Sequence, residues 1–261
     1  MRPIQRVRCF IAAASLTAFT AAVAAPVPSA LDSVEQSGVL RVCTTGDYRP
    51  FTHAEADGSY TGIDIDQAQS LAKALGVRAE FVKTTWPTLM TDFAAGKCDI
   101  AMGGISVTLA RQKVAAFSAP YLVDGKTPIA RCADVDKYQT LAQIDQPQVR
   151  VIVNPGGTNA TFAQAHLHVA KPMVYADNNT IFEQIVTGKA DVMITDATET
   201  RLQHKLHPAL CAIHPDHPFT YGEKAYLLPR GDVPFKAFVD QWLHLEKKTG
   251  EFDAVIARWL S

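Results

Sequence analysis

The sequence predicts an α/β protein built from two similar halves with a ligand cleft between them. A Gly-Lys-x-Asp phrase, followed by a short apolar strand and a polar turn, occurs twice, at residues 96–104 and 188–196. The two copies are about ninety residues apart, which indicates an internal structural repeat. Because open parallel sheets bind ligands just beyond the carboxyl ends of their strands, we expect the polar turns of the two halves to face each other.

The first half alternates predicted strands with predicted helices. Apolar residues recur at helical spacing until Gly76 ends one helix, and Pro87 begins another that ends before Gly96. Thr108 begins the short helix that carries Arg111. The predicted helices cover 30–38, 64–75 and 87–95, and the predicted strands cover 39–44, 78–83 and 99–102.

The second half repeats this pattern and adds a glycine turn. A strand over 148–153 runs into Asn154-Pro155-Gly156-Gly157-Thr158-Asn159 and then into a helix, so that unpaired backbone N–H groups and the helix dipole favour an anion. The turn matches neither a dinucleotide fingerprint nor a nucleotide phosphate loop. Further strands are predicted over 171–175, 192–194 and 224–228, and further helices over 141–145, 179–187 and 235–260.

The first 25 residues are typical of a secretory signal peptide. Arg2, Arg6 and Arg8 precede an apolar run that ends in small residues, so we expect cleavage after Ala24 or one residue later. The run is short and leads into Pro26-Val27-Pro28, which disfavours a membrane anchor. We therefore expect an exported, periplasmic protein that has no membrane partner.

Charge and cysteine content exclude some classes of partner. The chain has 25 Lys and Arg against 26 Asp and Glu, and removing the three arginines of the signal peptide leaves a net charge of −4. Because the charges are interspersed, nucleic acid is not an expected partner. The histidine pairs lack a third ligand at a suitable spacing, and no Cys-x-x-Cys occurs, so we expect no metal site.

Four cysteines remain after the signal peptide, and an even number in an oxidising compartment favours disulfides. Three pairings are open. We favour Cys132 with Cys211, which flank the second half, and expect that bridge to tie the lobes together. Cys43 with Cys98, both at strands of the first half, is the second expected bridge.

Three charged residues at the polar turns are candidates for ligand binding or chemistry. Arg111 follows the first repeat, whereas Asp196 and Glu199 follow the second. Together they indicate a small anionic ligand held between the halves. The alternative is that Asp196 and Glu199 only cap the following helix. Tyr48 and Phe51 either form an aromatic wall for a ring-shaped ligand or pack as an ordinary loop.

The order of motifs resembles the amino-acid type of periplasmic solute-binding proteins over essentially all of the mature chain. The shared motifs are Gly-Asp-Tyr-x-Pro-Phe at 46–51, Gly-Ile-Asp-Ile-Asp at 62–66, Gly-Gly-Ile-Ser-x-Thr-x-x-Arg at 103–111 and Phe-Ser-x-Pro-Tyr at 117–121. The resemblance implies a two-lobed (type II) fold with the ligand cleft between the lobes. Lobe 1 would comprise 26–127 plus 226–261, and lobe 2 would comprise 128–225. It also implies that Arg111 binds a ligand carboxylate and that Asp196 meets a ligand ammonium.

Further motifs resemble the periplasmic cyclohexadienyl dehydratases, which convert prephenate to phenylpyruvate and arogenate to phenylalanine. They are Thr85-Trp86-Pro87, Asp124-Gly125-Lys126-Thr127-Pro128-Ile129, the 153–159 turn, Thr195-Asp196-Ala197-x-Glu199 and Glu223-Lys224-Ala225-Tyr226-Leu227-Leu228-Pro229. Cys43 and Cys98 depart from this pattern. The resemblance implies that Glu199 is the general acid. It further implies that the cleft is lined by Tyr48, Trp86, Ser106, Arg111, Asn154 and Thr158, with the Gly156-Gly157 turn helping Arg111 to hold a carboxylate.

The implied reaction needs one proton and no cofactor. A carboxylic acid supplies that proton at neutral pH only if its pKa is raised, by burial or by a neighbouring carboxylate such as Asp196. The alternative function is an amino-acid-binding receptor of an ABC transporter, for which Glu199 in the cleft has no evident use. The sequence leaves the oligomeric state open, a homo-oligomer included.

Overall fold

The computed structural model describes residues 28–260, so the expected signal peptide lies outside the described residues. None of the helices in this range is both long enough and apolar enough to cross a bilayer. The ten α-helices of residues 28–260 are α1 Ala30–Ser37, α2 Ile63–Ala74, α3 Leu89–Ala94, α4 Leu109–Gln112, α5 Leu141–Ile144, α6 Gly157–His166, α7 Ile181–Val186, α8 Ala197–Leu206, α9 Val233–Thr249 and α10 Glu251–Leu260.

The strands of the same range are mostly short. They are β1 Val39–Thr44, β2 Asp47–Tyr48, β3 Thr52–Ala54, β4 Tyr60–Thr61, β5 Arg78–Lys83, β6 Ile100–Ala101, β7 Ala116–Phe117, β8 Leu122–Asp124, β9 Lys126–Arg131, β10 Ile152–Val153, β11 Met173–Val174, β12 Val192–Asp196, β13 Leu210–Ala212, β14 Gly222–Lys224 and β15 Leu227–Leu228.

Two sheets with the same topology confirm the predicted two-lobed α/β architecture. The first sheet has the order β5-β1-β6-β15-β7, in which β15 runs antiparallel to both of its neighbours. In the second lobe β11 pairs with β10, a bridge between Val151 and Val192 joins β10 to β12, and β9 pairs antiparallel with β12 and β13. The second sheet therefore has the order β11-β10-β12-β9-β13, with β9 in the place of β15.

The repeated Gly-Lys-x-Asp phrase forms the same contact in both lobes. Asp99 accepts hydrogen bonds from the backbone N–H and the guanidinium of Arg41, whose Nη1 also reaches the carbonyl of Gly96. Asp191 binds Arg150 in the same way, and Nη1 of Arg150 reaches Gly188. Each aspartate thus fixes the end of a helix against the start of a neighbouring strand, which explains why the phrase occurs twice.

The lobes are joined at the strand pair β8–β14 and at the start of β9. Phe235, Trp242 and Phe252 of the C-terminal helices pack in the first-lobe core with Leu40 and other first-lobe residues, so the chain returns to the lobe in which it begins. The first part of lobe 1 was expected to end at residue 127. In the structure this position lies inside β9, which begins at Lys126 and belongs to the second sheet.

Two predicted elements are each divided in the structure. The strand predicted over 224–228 is β14 followed by β15, because the chain leaves β8 as its partner and joins the first-lobe sheet. The helix predicted over 235–260 is α9 followed by α10. Gly250 separates them with φ of 84°, a left-handed conformation that suits glycine and ends a helix.

The structure contains both expected disulfides, Cys43–Cys98 and Cys132–Cys211. The expectation that Cys132–Cys211 ties the lobes together is wrong. Cys132 directly follows β9 and Cys211 lies in β13, and these strands are neighbours in the second-lobe sheet. Cys132, Cys211 and His204 form a close group, but sulfurs that are bonded to each other have no thiolate to offer a metal.

The Cys132–Cys211 bond should stabilise the second lobe. Its partners are 79 residues apart, so the double variant Cys132→Ser/Cys211→Ser should lose about 2–5 kcal/mol of unfolding free energy through the larger entropy of the unfolded chain. Urea denaturation of the double variant and the wild type measures this difference. Non-reducing peptide mapping provides the control, and free thiols at 132 and 211 in the freshly exported protein would contradict the pairing.

Candidate functional site

A narrow cavity of about 20 Å³ lies between the lobes, and we call it the front cavity. It contains most of the side chains that the sequence predicted for substrate binding. Its lining residues are Tyr48, Trp86, Gly104 and Ser106 from the first lobe, and Asn154, Thr158, Asn159 and Asp196 from the second.

The lining side chains follow the carboxyl ends of the parallel strands in both lobes. Trp86 follows β5 and Ser106 follows β6, while Asn154 follows β10 and Asp196 ends β12. These ends of the two sheets face each other, so residues that are distant in the sequence meet in one crevice. Open α/β sheets generally have their ligand sites at this place.

Aromatic side chains form one wall of the front cavity. The rings of Tyr48 and Trp86 meet edge to face, with centroids 5.4 Å apart. Phe51 is buried and stacks behind Tyr48, so it supports the wall without lining the cavity. A side chain at Gly104 would come within 2.5–2.6 Å of the Phe51 and Tyr48 rings, which explains the glycine at this position.

Asp196 lies at the centre of a buried network of charged groups. One carboxylate oxygen accepts from Nζ of Lys126 at 2.7 Å, and the other accepts from Nζ of Lys224 at 2.5 Å and from the Tyr48 hydroxyl. Lys224 also donates to Ser106 Oγ at 3.0 Å, and Lys126 donates to Thr158 Oγ1 at 2.9 Å. The network joins side chains of both lobes across the cleft.

The two lysines decide the charge of Asp196. Burial alone would raise the pKa of this carboxyl, but Lys126 and Lys224 outweigh burial and hold the pKa far below its ordinary value. Burial lowers the pKa of Lys126, and Asp196 opposes that change. Asp196 is therefore an anion whose charge is already compensated by protein groups.

Glu199 has the opposite electrostatic character. It lies in the first turn of α8, is 1% exposed, and accepts a hydrogen bond from the Thr195 hydroxyl. Burial raises the pKa of Glu199 to about 8; the Thr195 hydrogen bond opposes this rise and the charge of Asp196 adds to it. Glu199 is consequently a protonated, neutral acid at pH 7.

The helix-capping alternative does not account for these two carboxyl groups. Asp196 occupies the N-cap position of α8, yet its side chain accepts no hydrogen bond from the helix backbone. Its oxygens are taken by Lys126, Lys224 and Tyr48. The described partner of the Glu199 side chain is the Thr195 hydroxyl.

Glu199, Arg111 and Gly157 are not among the lining residues of the front cavity. Arg111 is half-buried and donates a hydrogen bond from Nη1 to the carbonyl of Ser106 at 2.8 Å. Burial lowers the pKa of Arg111, and the charge of Asp196 opposes that change. Gly157 begins α6 beside Trp86. Glu199 lies behind Thr195 and lines a second cavity of about 110 Å³, which we call the rear cavity.

Lys126, Lys224 and Asn159 belong to the site, although the sequence patterns indicated no role for them. Lys126 and Lys224 lie on the crossing strands β9 and β14, within motifs that resemble those of the dehydratases. The feature of the sequence that could have identified both lysines is their position in the short strands that connect the lobes. Asn159 donates to Thr195 Oγ1 at 2.9 Å and thus links the front cavity to the partner of Glu199.

A sequence profile of bacterial extracellular solute-binding proteins, family 3, matches residues 40–261. The chain belongs to this family. The family's two-lobed fold also appears in a solved ancestral amino-acid-binding protein described as a precursor of cyclohexadienyl dehydratase, which is 36% identical with a TM-score of 0.83 and covers 89% of this chain and 100% of its own.

The chain is similar both to an enzyme and to a binding protein. The cyclohexadienyl dehydratase of Pseudomonas aeruginosa is 57% identical over 232 residues, which are 89% of this chain and 86% of the relative. The L-cystine-binding protein of Escherichia coli K12 is 24% identical over 88% of this chain and 85% of its own length. A solved ancestral cyclohexadienyl dehydratase is 53% identical, with a TM-score of 0.57, and covers 90% of this chain and 97% of its own.

Proposed function

We propose that the protein is a periplasmic cyclohexadienyl dehydratase, a carbon–oxygen lyase that converts prephenate to phenylpyruvate with loss of water and CO2. Arogenate, which would give phenylalanine, is the second proposed substrate. The observation that carries this proposal is the buried, neutral carboxylic acid of Glu199 next to the compensated carboxylate of Asp196. Membership of an extracellular binding-protein family and two disulfides support the periplasmic location.

The charges around the front cavity suit an anionic substrate. Arg111, Lys126 and Lys224 supply three positive charges, whereas Asp196 and the buried Asp124 supply two negative charges and Glu199 is neutral at pH 7. The resulting excess of positive charge favours a substrate that carries carboxylates, as prephenate does. Electrostatic complementarity of this kind favours binding and orients the ligand.

The proposed reaction is a proton-assisted elimination. Glu199 supplies the proton for the departing ring hydroxyl by way of the Thr195 hydroxyl, which lies between Glu199 and the front cavity; the C–O bond breaks, and water leaves. The bond between the ring and its carboxylate breaks at the same time, and its electron pair enters the ring, which becomes aromatic as CO2 departs. The protein contributes positioning and one acid, so the side-chain carboxylate must be held while the ring carboxylate is left free to depart.

The arrangement of Asp196 weighs against an amino-acid receptor. A receptor of this family would need a free carboxylate for the ligand ammonium, and the resemblance assigned that role to Asp196. Both oxygens of Asp196 are bound to lysines, so an incoming ammonium would have to displace a buried cation. A receptor also has no evident use for the buried acid of Glu199.

Incubating the purified protein with prephenate tests the proposed activity. We expect phenylpyruvate absorbance to appear with catalytic turnover and without an added cofactor. Equilibrium binding of amino acids by calorimetry should be run in parallel. Tight amino-acid binding without phenylpyruvate formation would favour the receptor instead.

Arg111 is proposed to hold the substrate's side-chain carboxylate through a bidentate contact. Lysine keeps the charge but cannot reproduce the fork of a guanidinium, so Arg111→Lys should raise KM at least about tenfold while kcat changes little. Steady-state kinetics with prephenate measures both constants. Lys113→Gln removes an exposed charge near the end of the same helix and is the matched control. An unchanged KM in Arg111→Lys would refute the proposed orientation of the substrate.

A further inference from the structure

The rear cavity connects Glu199 with the protein surface. Its exposed lining residues are Arg49, Asn179 and Leu206, its half-buried ones are Asp47, His53 and His207, and its buried ones are Asn178, Glu199 and Gln203. The solvent exposure of the lining residues thus falls from the first set to the third, and Glu199 belongs to the third, buried set. Thr195 lies on the other side of Glu199, toward the front cavity.

The proposed reaction makes a proton supply necessary. On the assumption that the proposed function is correct, each turnover converts a prephenate dianion and one proton into a phenylpyruvate monoanion, CO2 and water. Glu199 is therefore left as a carboxylate after every turnover and must regain a proton from solvent. A 1% exposed carboxyl group needs a defined route for that proton.

We propose that the rear cavity is a proton port, through which solvent re-protonates Glu199 while the front cavity still holds product. The proton passes from hydronium or a buffer acid at the exposed rim, along water in the cavity, to the Glu199 carboxylate. No bond other than O–H bonds forms or breaks in this step.

Charge favours the rear route over the front one. Lys126 and Lys224 bind Asp196 at the front cavity, and Arg111 binds the carbonyl of Ser106. These three cations exceed the two carboxylates of Asp196 and Asp124, and the excess positive charge raises the free energy of an additional cation there. The rear cavity has the carboxyl group of Asp47 among its lining groups, with the two histidines and with Arg49 at its exposed rim. A proton therefore meets less repulsion on the rear side.

Polar atoms without protein partners make the rear cavity suitable for water. Within residues 28–260, Asp47 Oδ1 and Asn178 Oδ1 are buried and accept no hydrogen bond. Both residues line the cavity. Buried acceptors next to a polar cavity of this size are commonly satisfied by water, and a short chain of water conducts protons.

Two variants test the port without altering the acid itself. Leu206→Trp fills the exposed rim of the cavity, and Gln203→Met removes a polar side chain one helical turn beyond Glu199. Each should turn over its first substrate at a rate within about twofold of wild type, because Glu199 begins protonated. Later turnovers should be at least about tenfold slower, giving a burst of one product per active site in rapid-quench experiments. Leu206→Ala, which leaves the rim open, is the matched control.

Two measurements separate the possible outcomes: the D2O isotope effect, and whether the first or only the later turnovers are slowed. Slow proton delivery predicts a larger D2O effect on the steady-state rate of the variants than on wild type. A burst without that effect would indicate slow product release and would refute the port. Equal losses in the first and later turnovers, or no loss in either variant, would refute it as well. If the wild type forms no phenylpyruvate, the proposed function itself has failed.

Discussion

Replacing Glu199 with glutamine should lower kcat for prephenate by about 10²–10⁴-fold, which corresponds to about 3–5 kcal/mol of activation barrier. Glutamine keeps the size and the hydrogen-bonding capacity of the side chain but has no proton to give to the leaving hydroxyl. Substrate affinity should stay close to that of wild type, because the proposed carboxylate contacts are made by other residues. Steady-state kinetics and a direct binding measurement separate these two effects.

Glu183→Gln makes the same chemical change at an exposed position of the second lobe and should leave kcat unchanged. The acid role also fixes the sign of the pH dependence. Because the working form of Glu199 is protonated and its pKa is raised to about 8, activity should be retained at neutral pH and fall as the pH rises through about 8. A Glu199→Gln variant within threefold of wild type would refute the assignment.

Replacing Lys224 with methionine should lower the unfolding free energy by about 3–5 kcal/mol and abolish most of the activity. Lys224 is 1% exposed and donates to Asp196, Ser106 and, at 3.4 Å, to the Tyr48 hydroxyl. Its removal leaves a buried carboxylate with only one of its two cations. Urea denaturation measures the stability, and the prephenate assay measures the activity.

The double variant Lys224→Met/Asp196→Asn tests the origin of that loss. The loss in the double variant should be smaller than the sum of the losses in Lys224→Met and Asp196→Asn, because each single change already breaks the contact between Lys224 and Asp196. Stability should stay below that of wild type, because Lys126 has lost its carboxylate partner, and activity should stay low. Lys236→Met is the matched surface control. Lys236 and Asp240 are also 2.5 Å apart but partly exposed, so this variant should cost at most about 1 kcal/mol. Additive losses in the double variant would contradict a direct Lys224–Asp196 interaction.

The binding-protein fold explains how little is needed to build this proposed active site. Both lobes end their parallel strands at the cleft, so side chains placed at the turns already meet a ligand. Lys126 and Lys224 convert Asp196 from a free anion into a compensated one, and burial keeps Glu199 neutral. Charge compensation and one buried acid are sufficient for the proposed chemistry.

Local patterns in the sequence predicted the fold and the position of most of the site. Strands β1 and β5 begin and end where predicted. The repeated Gly-Lys-x-Asp phrase predicted two similar halves. Strand-end positions indicated Tyr48 and Asp196 as cleft residues, and the resemblance added Trp86. These properties depend on residues that are near one another in the chain.

Only the tertiary structure decided the electrostatics of the site. Lys126 and Lys224 are 98 positions apart, on β9 and β14, and they meet Asp196 because two crossing strands pass beside the end of β12. The burial of Glu199, the rear cavity behind it and the confinement of Cys132–Cys211 to one lobe likewise depend on how distant segments pack. Burial and charge pairing are properties of the folded chain in three dimensions, whereas the sequence by itself determined the strands, the repeat and the turns on which those groups stand.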